Sequence, residues 1–463
     1  WRSGLKPLKY ILSSLTFIVI LFEYIFFLIS PVYFSCLSPA PHKIAAVSKT
    51  QHAASSSPKN NISLHARYAA LIDADNNRLL YGKGADIKAP NASTTKIITL
   101  ITALSICADD YIATTSAYAA SMPDVQLNAI NGEQFTIKDL YFSLMLRSHN
   151  DTAVIIAENA AYYYICNLSD KERNELIYDI SFIPDYSNNS SFLKNISKEQ
   201  SKVLVRIFTD LMNKKALEAG CTNTHFVTPN GLDASDENGI HRTTAYDLSV
   251  MMSYCIKNPD FIEITKSSSY SFSNLDGKRY SVTNANAFLS MYDNIISGKT
   301  GFTADAGYCY VCAYKDENKT FIVALLACGW PNNKSYKWTD SKVLLDYARN
   351  NFEKQVLLDN IKTFNVKVTN GTSDDINVVI DKKYSAYVKS DDEVKIEYNI
   401  PDSIMAPVKK NDVIGTVTVF INNEAVKQYN IISDKDISKC NYARKVSHII
   451  RHFLYFLCIL IQF

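Results

Sequence analysis

The sequence predicts an α+β fold, an antiparallel sheet faced by helices, followed by a small all-β sandwich. Three observations carry this. Strand-like segments at 67–73 and 78–81 are answered far along the chain by a strand pair at 306–313 and 320–328, with helical patterns between them. From about 361 the apolar residues alternate with period two in short runs separated by turn residues. The chain has 463 residues, 47% hydrophobic and 20% charged, a globular balance with room for two or three domains.

Taken in order, Arg2, Lys6 and Lys9 precede an apolar stretch over 10–37 whose one charge is Glu23. A positive start before an apolar core predicts an exported chain, with 1–40 either a signal peptide or an uncleaved signal anchor. Residues 41–62, rich in Ser, Ala, Pro, Lys and Asn, read as a flexible tether. The first folded unit is expected over 63–360. It opens with the two strands around the turn Asp75-Asn76-Asn77. Helical patterns follow at 94–107, 137–147, 152–162, 208–218 and 244–257, and a closing helix is expected at 337–351. Between them, about 162–202 reads as an insertion with a polar centre, dispensable for chemistry. The β-sandwich is expected over 361–435. The last segment, 441–463, is short for a span and has basic residues beside its apolar ones, which suits a membrane surface.

A net charge of +2 leaves no electrostatic footprint for nucleic acid. The ten cysteines show no framework spacing. Cys309 and Cys312, three apart in a strand, should face opposite sides, which argues against a shared metal and for small buried side chains.

Three clusters can carry chemistry. "ASTTKI" places Ser93 three residues before Lys96 at the start of an apolar helix, within hydrogen-bonding reach. A serine hydroxyl needs a base beside it, and a lysine serves only if burial or nearby positive charge lowers its pKa. An ordinary N-cap reads the same way when the motif stands alone. "LRSHNDTA" puts the hydroxyl of Ser148 and the amide of Asn150 on one loop between helices. "SGKTGFTADAGYC" puts Lys299, Thr300 and Gly301 just before a strand whose edge can pair with an extended substrate.

Each cluster alone is weak. In this order they form the motif set shared by penicillin-binding proteins and β-lactamases. With "TPNGLD", "HRTTAYDL" and "IMAPVKKNDVIGTVTV", the chain resembles the serine-type D-alanyl-D-alanine carboxypeptidases, low-molecular-mass penicillin-binding proteins, over roughly 65–435. The resemblance implies a β-lactamase/transpeptidase-like first domain. It implies Ser93 as the acylated nucleophile, Lys96 as its base and Ser148 as a catalytic neighbour. Asn150, Lys299, Thr300, Gly301, Phe302 and Thr303 would bind substrate, with the backbone N–H groups of Ser93 and Phe302 as the oxyanion hole. It implies no cofactor and no metal. The expected partners are the peptidoglycan pentapeptide stem, β-lactams as covalent inhibitors and, through the C-terminus, the outer face of the bacterial cell membrane.

The sequence departs from the family at His149, where a glycine is usual. This histidine is expected to point to solvent, or to strain the backbone if a positive φ is needed there. "TNANAFL" (283–289) also lacks the basic residue that some relatives use for the substrate carboxylate. The rival readings are a D,D-endopeptidase, a β-lactamase, which would need neither the β-domain nor the membrane-seeking ends, and a catalytically idle wall-binding protein.

Overall fold

The computed structural model describes residues 62–317, 319–359, 361–441, 446–447 and 449–454. The expected export segment, the tether up to residue 61 and much of the closing segment lie outside the described residues.

Five antiparallel strands make the central sheet: β1 (Tyr68–Asp73), β2 (Arg78–Lys83), β3 (Ile295–Thr303), β4 (Gly307–Lys315) and β5 (Thr320–Leu326), in the order β2-β1-β5-β4-β3. The two ends of the domain meet in it, Tyr68 lying opposite Leu326. Its strands are apolar on both faces because both are covered. Ala70, Ile72, Val311 and Ala324 pack on the helical region, while Ala69, Leu71, Val323 and Leu325 pack on the opposite side. Cys309 and Cys312 fall on these opposite faces, both fully buried. Among the described residues no group of histidines, cysteines and carboxylates could hold a metal.

The five longest helices among the described residues are α1 (Lys96–Leu104), α2 (Asn150–Cys166), α3 (Lys198–Ala219), α4 (Ala245–Cys255) and α5 (Tyr336–Asn351). α1 and α2 are buried nearly all round, and α5 closes the far face of the sheet through Leu344 and Leu345. α3 starts at a capping box of Ser197 and Gln200 and stops at Gly220, whose φ of 98° suits glycine. Two elements differ from expectation. Ser93 belongs to a separate 3₁₀ turn, Ala92–Thr95, ahead of α1. The helix expected over 137–147 is α-helical only over Ile137–Phe142 and then widens into a π-helical turn, Ser143–Arg147. A hairpin, Ser269–Ser273 with Arg279–Thr283, had not been expected.

The region 163–204 is folded rather than loose. It contains a helix at Asp170–Asn174 and a 3₁₀ segment at Ser190–Asn195. Leu193 is fully buried, and Ser190 Oγ donates to Ile112 O at 2.7 Å.

The β-domain has eight strands: β6 (Glu353–Leu358), β7 (Lys362–Thr369), β8 (Asp375–Ile380), β9 (Tyr384–Val388), β10 (Val394–Asn399), β11 (Ser403–Met405), β12 (Val413–Ile421) and β13 (Glu424–Ser433). A sheet ordered β10-β12-β13-β8-β7-β11 and the pair β6-β9 enclose one core. Its first strand begins at Glu353, ahead of the expected 361. The domain is fixed to the central sheet at β9. The Arg78 guanidinium donates to Tyr387 O, Thr320 N donates to the Tyr387 hydroxyl at 3.2 Å, and Lys354 pairs with Asp75. Tyr387 is itself part of the core on the α5 face of the central sheet.

Candidate active site

Ser93 and Lys96 meet because of the 3₁₀ turn. In that geometry residues three apart are nearly eclipsed, so the hydroxyl lies against the amine. Lys96 Nζ is 3.0 Å from Ser93 Oγ. It also donates to Asn150 Oδ1 at 2.9 Å and to the backbone carbonyl of Asn230 at 2.7 Å. Lys96 is completely buried, whereas Ser93 is partly exposed. Burial pushes the Lys96 pKa well below the usual lysine value, the Lys299 charge pushes the same way, and Asp151 opposes them. A lysine whose pKa is lowered in this way is a better base toward a neighbouring hydroxyl than an ordinary solvent-exposed N-cap lysine.

The middle motif follows from the π-helical turn. Ser148 ends it in the left-handed region, φ 66° and ψ 31°, a conformation that costs a serine on the order of 1 kcal/mol. That reversal turns the chain into α2, so that Asn150 opens the new helix with its amide beside Lys96. The Asn150 amide is itself held, since its Nδ2 donates to Pro123 O at 3.2 Å and Asp124 O at 3.0 Å. Ser148 joins the third motif instead: Lys299 Nζ is 2.9 Å from Ser148 Oγ and 2.7 Å from Thr300 O. Burial lowers the Lys299 pKa to about 7.

His149 corrects one expectation and meets no condition for the other. It is buried, with Nδ1 2.8 Å from Ser143 Oγ, rather than turned to solvent. Its backbone is extended, φ −62°, and the positive φ falls on Ser148, so the residue brings no strain. Burial first, then the charges of Arg147, Lys96 and Lys299, lowers its pKa to about 4, so it stays neutral at physiological pH.

Lys299, Thr300, Gly301, Phe302 and Thr303 all lie on β3, which forms an edge of the sheet; the first three had been expected ahead of a strand. β3 pairs with β4 on one side, Gly301 opposite Cys309 and Phe302 opposite Tyr308. Gly301 packs so closely on the Ser93 turn that a Cβ there would sit 2.9 Å from Ser93 N and 3.0 Å from Thr94 N. The glycine thus brings the strand against the turn and leaves the Ser93 amide unobstructed. Thr300 and Thr303 are partly exposed and Phe302 is exposed, so polar and aromatic groups rim an opening above the two buried amines. Thr303 Oγ1 accepts from Ala306 N at 3.1 Å in the β3–β4 turn.

Two contributors carried no assigned role in the sequence. The Asn230 carbonyl accepts from Lys96 and also from Ser93 Oγ at 3.3 Å. Gly231, at φ 85°, sits so tightly under the turn that a Cβ would meet Ala92 O at 2.0 Å. An Asn-Gly pair in "TPNGLD" was the available signal for a tight reversal. His241 is the other. Its Nδ1 accepts from Val227 N at 3.0 Å, so Nε2 carries the hydrogen and donates to Thr95 Oγ1 at 2.9 Å. Thr95 Oγ1 in turn donates to Ala92 O at 2.9 Å, which ties the Ser93 turn to the 227–241 segment.

The arrangement brings all three motifs to one opening. A serine hydroxyl stands beside a buried amine, a second amine lies against another hydroxyl, and a strand edge runs along one wall. These are the parts required for acyl transfer through a serine.

Residues 51–162 and 205–328 match the family D-alanyl-D-alanine carboxypeptidase, and 352–439 match the C-terminal domain of penicillin-binding protein 5. The D-alanyl-D-alanine carboxypeptidase DacF of Bacillus subtilis is 26% identical over 387 residues, 81% of this chain and 87% of that protein. DacC of Escherichia coli is 23% identical over 401 residues, 83% of this chain and 87% of its own. Penicillin binding protein 5 from Haemophilus influenzae has the same fold, with a TM-score of 0.62 at 22% identity over 82% of this chain and all (100%) of the other.

Proposed function

The chain belongs to the D-alanyl-D-alanine carboxypeptidase family of serine-type hydrolases, and from that premise we propose that it removes the terminal D-alanine from peptidoglycan pentapeptide stems through an acyl-enzyme on Ser93. The observation that carries this reading is the 3.0 Å contact between Ser93 Oγ and a lysine that is wholly buried. Lys96 takes the Ser93 proton as Oγ attacks the carbonyl of the penultimate D-alanine. The developing oxyanion is met by the N–H groups of Ser93 and Phe302, adjacent to the close Gly301 contact. Asn150, its own amide held by Pro123 O and Asp124 O, positions Lys96 through Oδ1. Lys299 and Thr300, with Thr303, attract the terminal carboxylate. The leaving amine takes a proton through Lys96 or Ser148, and free D-alanine departs. Water then attacks the ester with Lys96 as base again, and Ser93 regains its proton.

The same chemistry accounts for covalent capture of β-lactams, whose strained amide acylates Ser93. Attachment to the outer face of the membrane through the C-terminus is part of the proposal. Ile449, Ile450, Phe453 and Leu454 are exposed in a helical stretch, which supports lipid contact over packing on the β-domain. Among the described residues no helix is long and apolar enough to cross a membrane.

The test is D-alanine release from an acetylated pentapeptide, followed by mass spectrometry, beside a cross-linked muropeptide dimer. Release from the pentapeptide that disappears in Ser93→Ala is expected. Cleavage of the dimer alone would make the protein an endopeptidase. Penicillin turnover without D-alanine release would make it a β-lactamase, and no reaction with either would leave a wall-binding protein.

A further inference from the structure

His149 stands between Ser148, whose hydroxyl meets Lys299, and Asn150, whose amide meets Lys96. Its own ring makes a different contact. The residue is 6% exposed, and Nδ1 lies 2.8 Å from Ser143 Oγ. Ser143 is fully buried, and its Oγ lies 2.9 Å from Thr152 Oγ1, which is buried too. A neutral imidazole completes this chain in either tautomer, because each hydroxyl can give one hydrogen and accept another.

Ser143 opens the π-helical turn and Thr152 lies in the first turn of α2, so the three side chains join the two ends of the reversal. The backbone is held on both sides of it. Ala285 N donates to Leu146 O at 2.9 Å, and Asn150 N donates to Val125 O at 2.7 Å. Between those two points sits Ser148 with its φ of 66°. A left-handed serine keeps that conformation only where its surroundings over-determine it. An imidazole bonded across the reversal supplies such a restraint. Burial first, then Arg147, Lys96 and Lys299, lowers the pKa of this ring to about 4, so it adds no charge beside the two amines at neutral pH. Glycine, usual at this position in the family, would remove the bond from Ser143 and leave a void in a buried place.

Resting on the proposed acyl transfer at Ser93, we infer that His149 is a positioning residue of this chain. Through Ser143 and Thr152 it locks the reversal that places Ser148 on Lys299 and the Asn150 amide on Lys96. The imidazole does not touch the substrate; it acts through its two neighbours.

The experiment follows acylation of the full chain by benzylpenicillin in stopped flow. The dependence on penicillin concentration separates initial binding from the acylation step. Wild type, His149→Gly, His149→Asn, Ser143→Ala and the double variant Ser143→Ala with His149→Gly are compared, with melting curves to establish which are folded. His149→Gly and Ser143→Ala are each expected to slow the acylation step by about tenfold, the loss of one buried hydrogen bond, with initial binding changed less than about twofold. The double variant should be little slower than either single one, because both remove the same bond. His149→Asn should recover most of the rate, since its side-chain amide reaches the place of Nδ1. A folded Ser143→Ala that acylates at the wild-type rate would overturn the inference, and so would losses that multiply in the double variant or an Asn variant as slow as the Gly variant. If His149→Gly does not fold, Ser143→Ala and His149→Asn decide in the same way. A wild-type protein that forms no penicilloyl adduct would instead overturn the acyl transfer on which the inference rests.

Discussion

The two folded regions treat charge in opposite ways. The region around the central sheet buries Lys96, Lys299, Asp151 and Glu158, and burial raises the Glu158 pKa to about 8. From Glu353 to Asn441, by contrast, Ser433 is the one buried polar residue among those described. The β-domain core is a plain apolar interior of residues such as Ile376, Val417, Val419 and Ile431. Burying an amine is unfavourable unless neighbours compensate or the amine gives up its proton. The difference therefore marks where the chain accepts a cost to obtain reactivity and where it only builds a scaffold.

That contrast can be broken most severely at Lys96. Lys96→Ala should slow β-lactam acylation by about 10²–10⁴-fold, because an unassisted serine hydroxyl keeps its proton near neutrality. Stopped-flow acylation measures this, and an unchanged rate would move the base elsewhere, Ser148 being the next candidate.

A smaller effect is expected from the second amine. Lys299 attracts a carboxylate only while protonated, and its pKa is about 7. The charge is present below that pH and lost above it. In kcat/KM, which reports the free enzyme, a substrate with a free terminal carboxylate should therefore decline several-fold as pH rises through 7. A substrate whose carboxylate is amidated should lack that decline, and parallel pH profiles for the two would remove Lys299 from carboxylate binding.

The least effect on chemistry is expected in the scaffold. Ile431 is fully buried in the β-domain, and Ile431→Ala should cost about 2–5 kcal/mol of stability. The acylation rate of the folded variant should nevertheless match wild type. A slowed rate at unchanged fold would show that the β-domain reaches the cleft through its fixed joint at Tyr387.

The same contrast explains what the sequence could convey. The β-domain was legible because one apolar core imposes a period of two on strands such as Val413–Ile421, and the β4–β5 pair was legible for its apolar runs around a polar turn. The hairpin Ser269–Ser273 with Arg279–Thr283 went unread although Asp276-Gly277 marks its turn, since its apolar face holds only Tyr270, Phe272, Tyr280 and Val282. At the site, Ser93, Lys96, Ser148, Asn150 and Lys299 could be named from motif order. The Ser93–Lys96 contact was legible from the spacing; the pairing of Lys96 with Asn150 and of Lys299 with Ser148 was not, because it depends on a π-helical turn and the left-handed Ser148, neither of which has a periodic signature. Asn230 was missed because it acts through its backbone carbonyl, which any residue type could supply. His149 misled because glycine is usual in the family position and only the structure places the positive φ on its neighbour.

The central claim is that a buried Lys96, its pKa lowered by burial and by Lys299, makes Ser93 the nucleophile. Its most direct test is to treat the protein with benzylpenicillin, digest it and find the adduct by mass spectrometry. The account predicts one penicilloyl group on the peptide containing Ser93, formed at neutral pH and absent from Ser93→Ala, while the melting temperature of that variant stays near wild type. An adduct on any other residue, or undiminished labelling of Ser93→Ala, would contradict it.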